Sequence, residues 1–209
     1  MDKDPYNLII TGVGGQGNVL ASQIIGRHLV DRGYKVTIGE TYGASQRGGS
    51  VMSHLRLSRK RQFSPLIPEG QADLVVALEP TEGLRVLGHY GNDRVRALVN
   101  TRLIYPLSVL SGESQAPVLD QILSQINQLT ARLWTVNATA IALKLGQPIL
   151  ANVALLGALE ASGAVGLERA QFEALLRETL PSGRVADNLA AFDQGRTEVR
   201  EYAAQEVNQ

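Results

Sequence analysis

Two glycine-rich segments lie near the start of the chain: GVGGQGN at 12–18, directly after the apolar run LII, and YGASQRGGS at 42–50. Gly12, Gly14 and Gly17 satisfy G-x-G-x-x-G, and Glu40 lies further along where a second strand would end. Glycines there permit a tight turn and close backbone approach, and free N–H groups at the start of a following helix favour an anion by roughly 0.3–2 kcal/mol. Such a loop can cradle the pyrophosphate of NAD or FAD, with Glu40 on a ribose hydroxyl. The additional Gly15, the polar Gln16-Gly17-Asn18, and a second glycine segment crowding Glu40 all argue against that use. Two other readings stand beside it: a turn that needs glycine only to pass from strand to helix, and a loop shaped for contact with another molecule or subunit. In the second segment Arg47 precedes Gly48 and Gly49, where its planar fork can be offered to a phosphate, a carboxylate or a partner's carbonyls. The plainer reading of Arg47 is a solvated residue on a surface loop.

Other chemistries find little support. The chain has no cysteine, so it can form neither a disulfide, nor a thiolate zinc site, nor a cysteine-bound iron–sulfur cluster of its own. His28, His54 and His89 have no metal-binding spacing and read as structural or surface residues. Ser45 and Ser50 lack a G-x-S-x-G elbow, so no hydrolase activity is expected. Asn137, Thr139 and Asn152 are polar residues in apolar surroundings; Asn137 reads as the cap of a helix over 138–146.

The elements that would position these loops follow from periodicity. LIITG (8–12) reads as a buried strand and NVLASQIIGRHLVDRG (18–33) as a helix stopped by Gly33; KVTIGE (35–40) then completes a βαβ unit with a right-handed crossover. VMSHLRLS (51–58) alternates, which suits a strand with one wetter face near a sheet edge. ADLVVALEP (72–80) reads as a central strand, with a helix after it capped by Thr81. RALVNT (96–101) and ARLWTVN (131–137) are further strands around a helix at 120–130, with Trp134 in the core. Helices over 138–146, 149–163, 167–180 and 185–203 complete the chain. The expected fold is α/β: a Rossmann-like, mostly parallel sheet with helices on both faces and a helical C-terminal third, in a single domain over 1–209.

Zero net charge conceals an asymmetry. Residues 1–61 carry 9 Lys+Arg against 4 Asp+Glu, a net of +5, and the remainder carries 11 against 16, a net of −5. Arg56, Arg59, Lys60 and Arg61 supply most of the excess; with no aromatics interleaved they read as a solvated turn, and no nucleic-acid partner is expected. No stretch is long and apolar enough for a membrane span, and the N-terminus lacks the basic start of a signal peptide, so a cytoplasmic location is expected.

GVGGQG, YGASQRGGSVMSHLR, SPLIPEGQADLVVALEPTEGLR (64–85) and ATAIALKLGQPILANVALLGAL (138–159), in this order, resemble the gamma domain of 2-oxoacid:ferredoxin oxidoreductases, over roughly residues 6 to 200. SQRGGSV and SPLIPEGQAD are most similar to the indolepyruvate branch and its beta subunit; the pyruvate and 2-oxoglutarate branches carry Glu-Met where this chain has Ser45-Gln46. The resemblance implies an oxidoreductase complex that oxidatively decarboxylates an aryl 2-oxoacid, joins the acyl group to coenzyme A and passes two electrons to ferredoxin. Thiamine diphosphate, Mg and 4Fe-4S clusters would sit on a larger, cysteine-containing partner subunit, leaving this chain as the non-redox subunit, inactive alone. By the same resemblance Gly12, Gly14, Gly15, Gln16, Gly17, Asn18, Arg47, Gly48 and Gly49 would form the face closing the shared site, with Arg47 or an amide of Gly14–Gly17 meeting a coenzyme A phosphate. Without its partner the chain would tend to form a homodimer through that face. An independent NAD- or FAD-dependent oxidoreductase and a non-catalytic scaffold are the rival functions.

Overall fold

The computed structural model describes residues 3–42, 49–105 and 107–202. In chain order the elements are β1 (Tyr6–Val13), α1 (Asn18–Asp31), β2 (Lys35–Tyr42), β3 (Ser50–Ser58), β4 (Leu74–Ala77), α2 (Pro80–Tyr90), β5 (Arg96–Asn100), α3 (Leu107–Leu110), α4 (Leu119–Gln128), β6 (Arg132–Val136) and α5 (Ala138–Lys144). A 3-10 turn (Pro148–Leu150), α6 (Ala151–Ala161), α7 (Arg169–Thr179), α8 (Ser182–Glu198) and the short β7 (Arg200–Glu201) follow. One seven-stranded sheet has the order β2-β3-β1-β4-β5-β6-β7. Strands β1, β4, β5 and β6 pair in parallel, while β3 runs antiparallel to both β1 and β2, and β7 antiparallel to β6. Five of the described strands therefore point one way, and the α/β architecture with a helical C-terminal third is as expected.

Two expectations need correction. β2 does not complete a βαβ unit beside β1: it is parallel to β1, but β3 lies between them, with Ile10 opposite Ser53 and Ser53 opposite Glu40. Nor is β3 a wet edge strand. Ser53, His54, Arg56 and Ser58 are all buried: the strap formed by residues 59–73 covers the face on which His54 and Arg56 lie, and Ser53 shares the opposite, helix-covered face with Leu55. The Ile67 amide donates to His54 Nδ1 at 3.3 Å, and Arg56 donates to the carbonyls of Ser64 and Leu66 at 3.3 Å and to Asn7 Oδ1 at 3.2 Å. The basic turn is correspondingly smaller than the sequence suggests: Arg59, Lys60 and Arg61 are exposed, with Arg59 over the Tyr34 ring and Arg61 over the Phe63 ring, while Arg56 belongs to the interior.

Helices cover both sheet faces. Ala21, Ile25 and Leu29 of α1 join α5, α6, α7 and α8 against Leu8, Ile10 and Leu55; α2 and α4 pack Val86, Leu87 and Ile126 against Ile9, Val75 and Val99. Trp134 is buried in the first of these layers. Asn137 caps α5, accepting from the Ala140 amide at 2.9 Å. Thr81 does not cap α2: the Glu79 carboxylate takes that place, accepting from Glu82 N at 2.8 Å, with Pro80 in the first turn where its missing N–H is harmless. In the C-terminal third α6 and α8 touch backbone to backbone, since a Cβ on Gly157 would overlap the Phe192 carbonyl and one on Gly195 the Ala154 carbonyl.

Candidate functional site

The site is built at the carboxyl ends of the parallel strands, where open α/β sheets leave crevices for ligands. β1 ends at Val13, and the chain turns through Gly14–Gly17 into α1. The second glycine segment joins β2 to β3, and because β3 pairs with β1, the register Val13↔Ser50 brings the two segments together. The Gly14 amide donates to the Gly49 carbonyl at 2.7 Å, while Asn18 Nδ2 and Thr11 Oγ1 both donate to the Val51 carbonyl, at 3.1 and 3.2 Å. Ser50 donates to the Glu82 carboxylate and accepts from Arg85 Nη2 at 2.7 Å, fastening the exit of the segment to α2.

Gln16 folds back into the turn. Its Oε1 accepts from Val13 N at 2.7 Å and its Nε2 donates to the Leu78 carbonyl at 3.2 Å, so the side chain crosses from β1 to the end of β4. Gly17 has φ +85°, and a Cβ there would lie 2.6 Å from Nδ2 of Asn152 on α6. Asn152 is 2 % exposed, and neither its Nδ2 nor its Oδ1 has a partner among the described residues; the same holds for Asn18 Oδ1. Gly15, with φ +96°, faces open space. Among the described residues the Gly15 and Gly17 amides, at the head of α1, have no acceptor.

Beside the turn lies a cleft of about 400 Å³, lined by Gln16, Leu78, Asn100, Arg102, Thr139 and Ile149 among others. Asn100, at the end of β5, donates to the Leu78 carbonyl at 2.9 Å and to Thr139 Oγ1 at 3.0 Å, and accepts from the Thr139 amide at 3.4 Å. The buried Glu79 carboxylate also accepts from Ile104 N at 3.4 Å, which fixes the segment carrying Arg102; desolvation pushes its pKa above the usual carboxylate value.

Of the residues singled out from the sequence, Gly12, Gly14, Gly15, Gln16, Gly17, Asn18 and Gly49 come together in this assembly. Arg47 and Gly48 lie outside the described residues. Thr139 reaches the cleft, Asn137 serves as a cap and Asn152 lies under Gly17. Asn100 and Arg102 were not foreseen, because a single polar residue at a strand end and a lone arginine carry no spacing signal. The arrangement also departs from a dinucleotide cradle. β3 separates β1 from β2, placing Glu40 two strand spacings, about 10 Å, from β1. Gln16 occupies the turn itself, with its Oε1 2.5 Å from where a Gly12 Cβ would sit.

The family model for pyruvate ferredoxin/flavodoxin oxidoreductase matches residues 7–198. Indolepyruvate oxidoreductase subunit IorB of Archaeoglobus fulgidus is 40% identical over 189 residues, covering 90% of this chain and 92% of that one. The IorB subunit of Methanothermobacter thermautotrophicus is 35% identical over 91% of this chain and 95% of its own length. Among solved structures, pyruvate oxidoreductase subunit PORC of Thermotoga maritima superposes with a TM-score of 0.71 at 21% identity, covering 96% of this chain and all of that one. The 2-oxoglutarate:ferredoxin oxidoreductase of Magnetococcus marinus superposes with a TM-score of 0.72 at 18% identity, over 94% of this chain but 31% of that longer chain. At such identities the two structures attest the shared fold, and the sequence matches carry the kinship: the chain belongs to the pyruvate ferredoxin/flavodoxin oxidoreductase family, as a gamma-type domain.

Proposed function

We propose that this chain, taken as one gamma-type domain over 1–209, is the non-redox beta subunit of an indolepyruvate-type ferredoxin oxidoreductase. Its kinship makes it a subunit of an oxoacid ferredoxin oxidoreductase; the IorB relatives point to an aryl 2-oxoacid as the substrate. In the proposed reaction the 2-oxoacid loses carbon dioxide, its acyl carbon is joined to the sulfur of coenzyme A, and the two electrons released pass to ferredoxin. Thiamine diphosphate, Mg and the 4Fe-4S clusters belong to the larger subunit. This chain supplies a rigid surface of backbone donors.

The observation that carries this reading is the Gly14–Gly49 hydrogen bond, which ties the end of the second glycine segment to the first. It also refines the assignment of donors. The Gly14 amide is committed to Gly49, so an anionic group of coenzyme A would meet the Gly15 and Gly17 amides and Arg47 from the second segment, with the buried Asn152 supporting the turn from beneath. Two features weigh against the independent nucleotide-dependent enzyme: β3 separates Glu40 from β1, and Gln16 fills the turn. Co-expression with the larger subunit, followed by assay of ferredoxin reduction with indolepyruvate and coenzyme A, tests the reading. Activity that needs both subunits and both substrates is expected. A complex indifferent to aryl 2-oxoacids would overturn the substrate class.

A further inference from the structure

The cleft beside the glycine turn has a wall and a floor of different character. Its floor is polar but internally satisfied: Asn100, Thr139 and Gln16 bond to one another's neighbourhood through the Leu78 carbonyl, the Thr139 hydroxyl and the Val13 amide. Such a floor offers few free donors to a small polar ligand. The rim is apolar and open, with Ile104 41% and Ile149 55% exposed and Tyr105, next to Ile104, 42% exposed. Arg102 is exposed at the mouth and makes no hydrogen bond or ion pair among the described residues. That sets it apart from Arg85, Arg132, Arg169 and Arg196, each of which lies on a carboxylate. The segment that carries it is nevertheless held in place, by Thr101 N on the Val136 carbonyl at 3.0 Å and by Ile104 N on Glu79. A guanidinium on an anchored stretch of backbone, without a counter-ion and next to exposed aliphatic side chains, is complementary to a protein surface that presents an apolar side chain beside a carboxylate.

We infer that this cleft is a docking socket for the larger subunit, with Arg102 receiving an Asp or Glu of that subunit and the rim of Ile104 and Ile149 closing on an adjacent apolar side chain. The inference rests on the proposed function, and it adds to the glycine-turn surface a second, separately mutable contact. Both substituted positions are exposed, so folding should survive their change.

The test is the dissociation constant between the full chain and the larger subunit, read from a dilution series by sedimentation velocity. Arg102→Glu and Ile149→Asp are each expected to weaken assembly at least about tenfold, and Arg102→Ala by less than Arg102→Glu, as for a charge facing its opposite across an interface. Arg94→Glu, at an exposed position near the amino end of β5, is the control and should leave assembly unchanged. If the unaltered chain does not bind the larger subunit at all, the proposed function and the socket fall together. If it binds and both variants bind equally tightly, the socket alone falls. Unchanged assembly with a raised KM for coenzyme A would assign the cleft to a small ligand and would equally overturn the socket.

Discussion

At the scale of single residues the glycine turn shows two different uses of one residue type. Gly17 is in the left-handed region and pressed against Asn152, whereas Gly15 is in that region but open. Gly15→Ala should therefore cost only the conformational strain, about 1–2 kcal/mol. Gly17→Ala adds a displaced Asn152 amide and should cost about 2–4 kcal/mol; urea unfolding of the two variants would measure the difference, and equal losses would show that Asn152 yields freely. Glu79 gives a pH signature. Burial raises its folded pKa above the ordinary 4.5, so the folded chain holds that proton more firmly than the unfolded one. Its contribution is full below the unfolded value and is lost as pH rises through the folded pKa. Relative to Glu79→Gln, the natural chain should lose stability as pH rises from about 4.5 through the folded pKa; parallel stability–pH curves for the two proteins would refute this. The glycine turn was legible because G-x-G-x-x-G follows a strand and opens a helix. The cap at Glu79 was not: a Thr beside Pro80 looked better placed, and only the fold shows which side chain reaches the Glu82 amide.

At the scale of elements the strand–helix alternation was readable because buried strands are continuous apolar runs and the helices keep their period. β3 was misjudged for a physical reason. A polar residue at every second position ordinarily means solvent, but here Arg56 and His54 hold the strap that hides them. Short pieces such as α3 and β7 carry too few residues for any period, and the pairing order of β2 and β3 depends on contacts between distant segments. The same strap makes a prediction. Arg56 is buried without a carboxylate, and the carbonyls of Ser64 and Leu66 depend on it. Arg56→Met should cost about 2–4 kcal/mol and should release the strap, so that limited proteolysis cuts within residues 59–73 before the chain unfolds globally. Cleavage that tracks global unfolding would show that the strap is held by its apolar contacts, Ile67 foremost.

At the scale of the whole molecule, the antiparallel β3 decides what the carboxyl end of the sheet can be. By separating β1 from β2 it removes Glu40 from the place where a ribose would be read, and by pairing with β1 it delivers Gly49 to Gly14. One insertion in strand order thus takes Glu40 away from the crevice beside β1 and ties Gly49 to the glycine turn, with the cleft and Arg102 alongside. The sequence contains no cysteine, so these 209 residues offer no thiolate to an iron–sulfur cluster, and in the proposed reaction the two electrons are carried by the larger subunit. Calorimetric titration of the purified chain with NAD(H), NADP(H) and FAD should accordingly show no saturable binding at micromolar concentrations, and the chain alone should not oxidise indolepyruvate. The complex with its larger subunit should do so in a coenzyme A-dependent way. Micromolar nucleotide affinity in the isolated chain would mean that Gln16 can leave the turn and that the strand order does not have the consequence assigned to it.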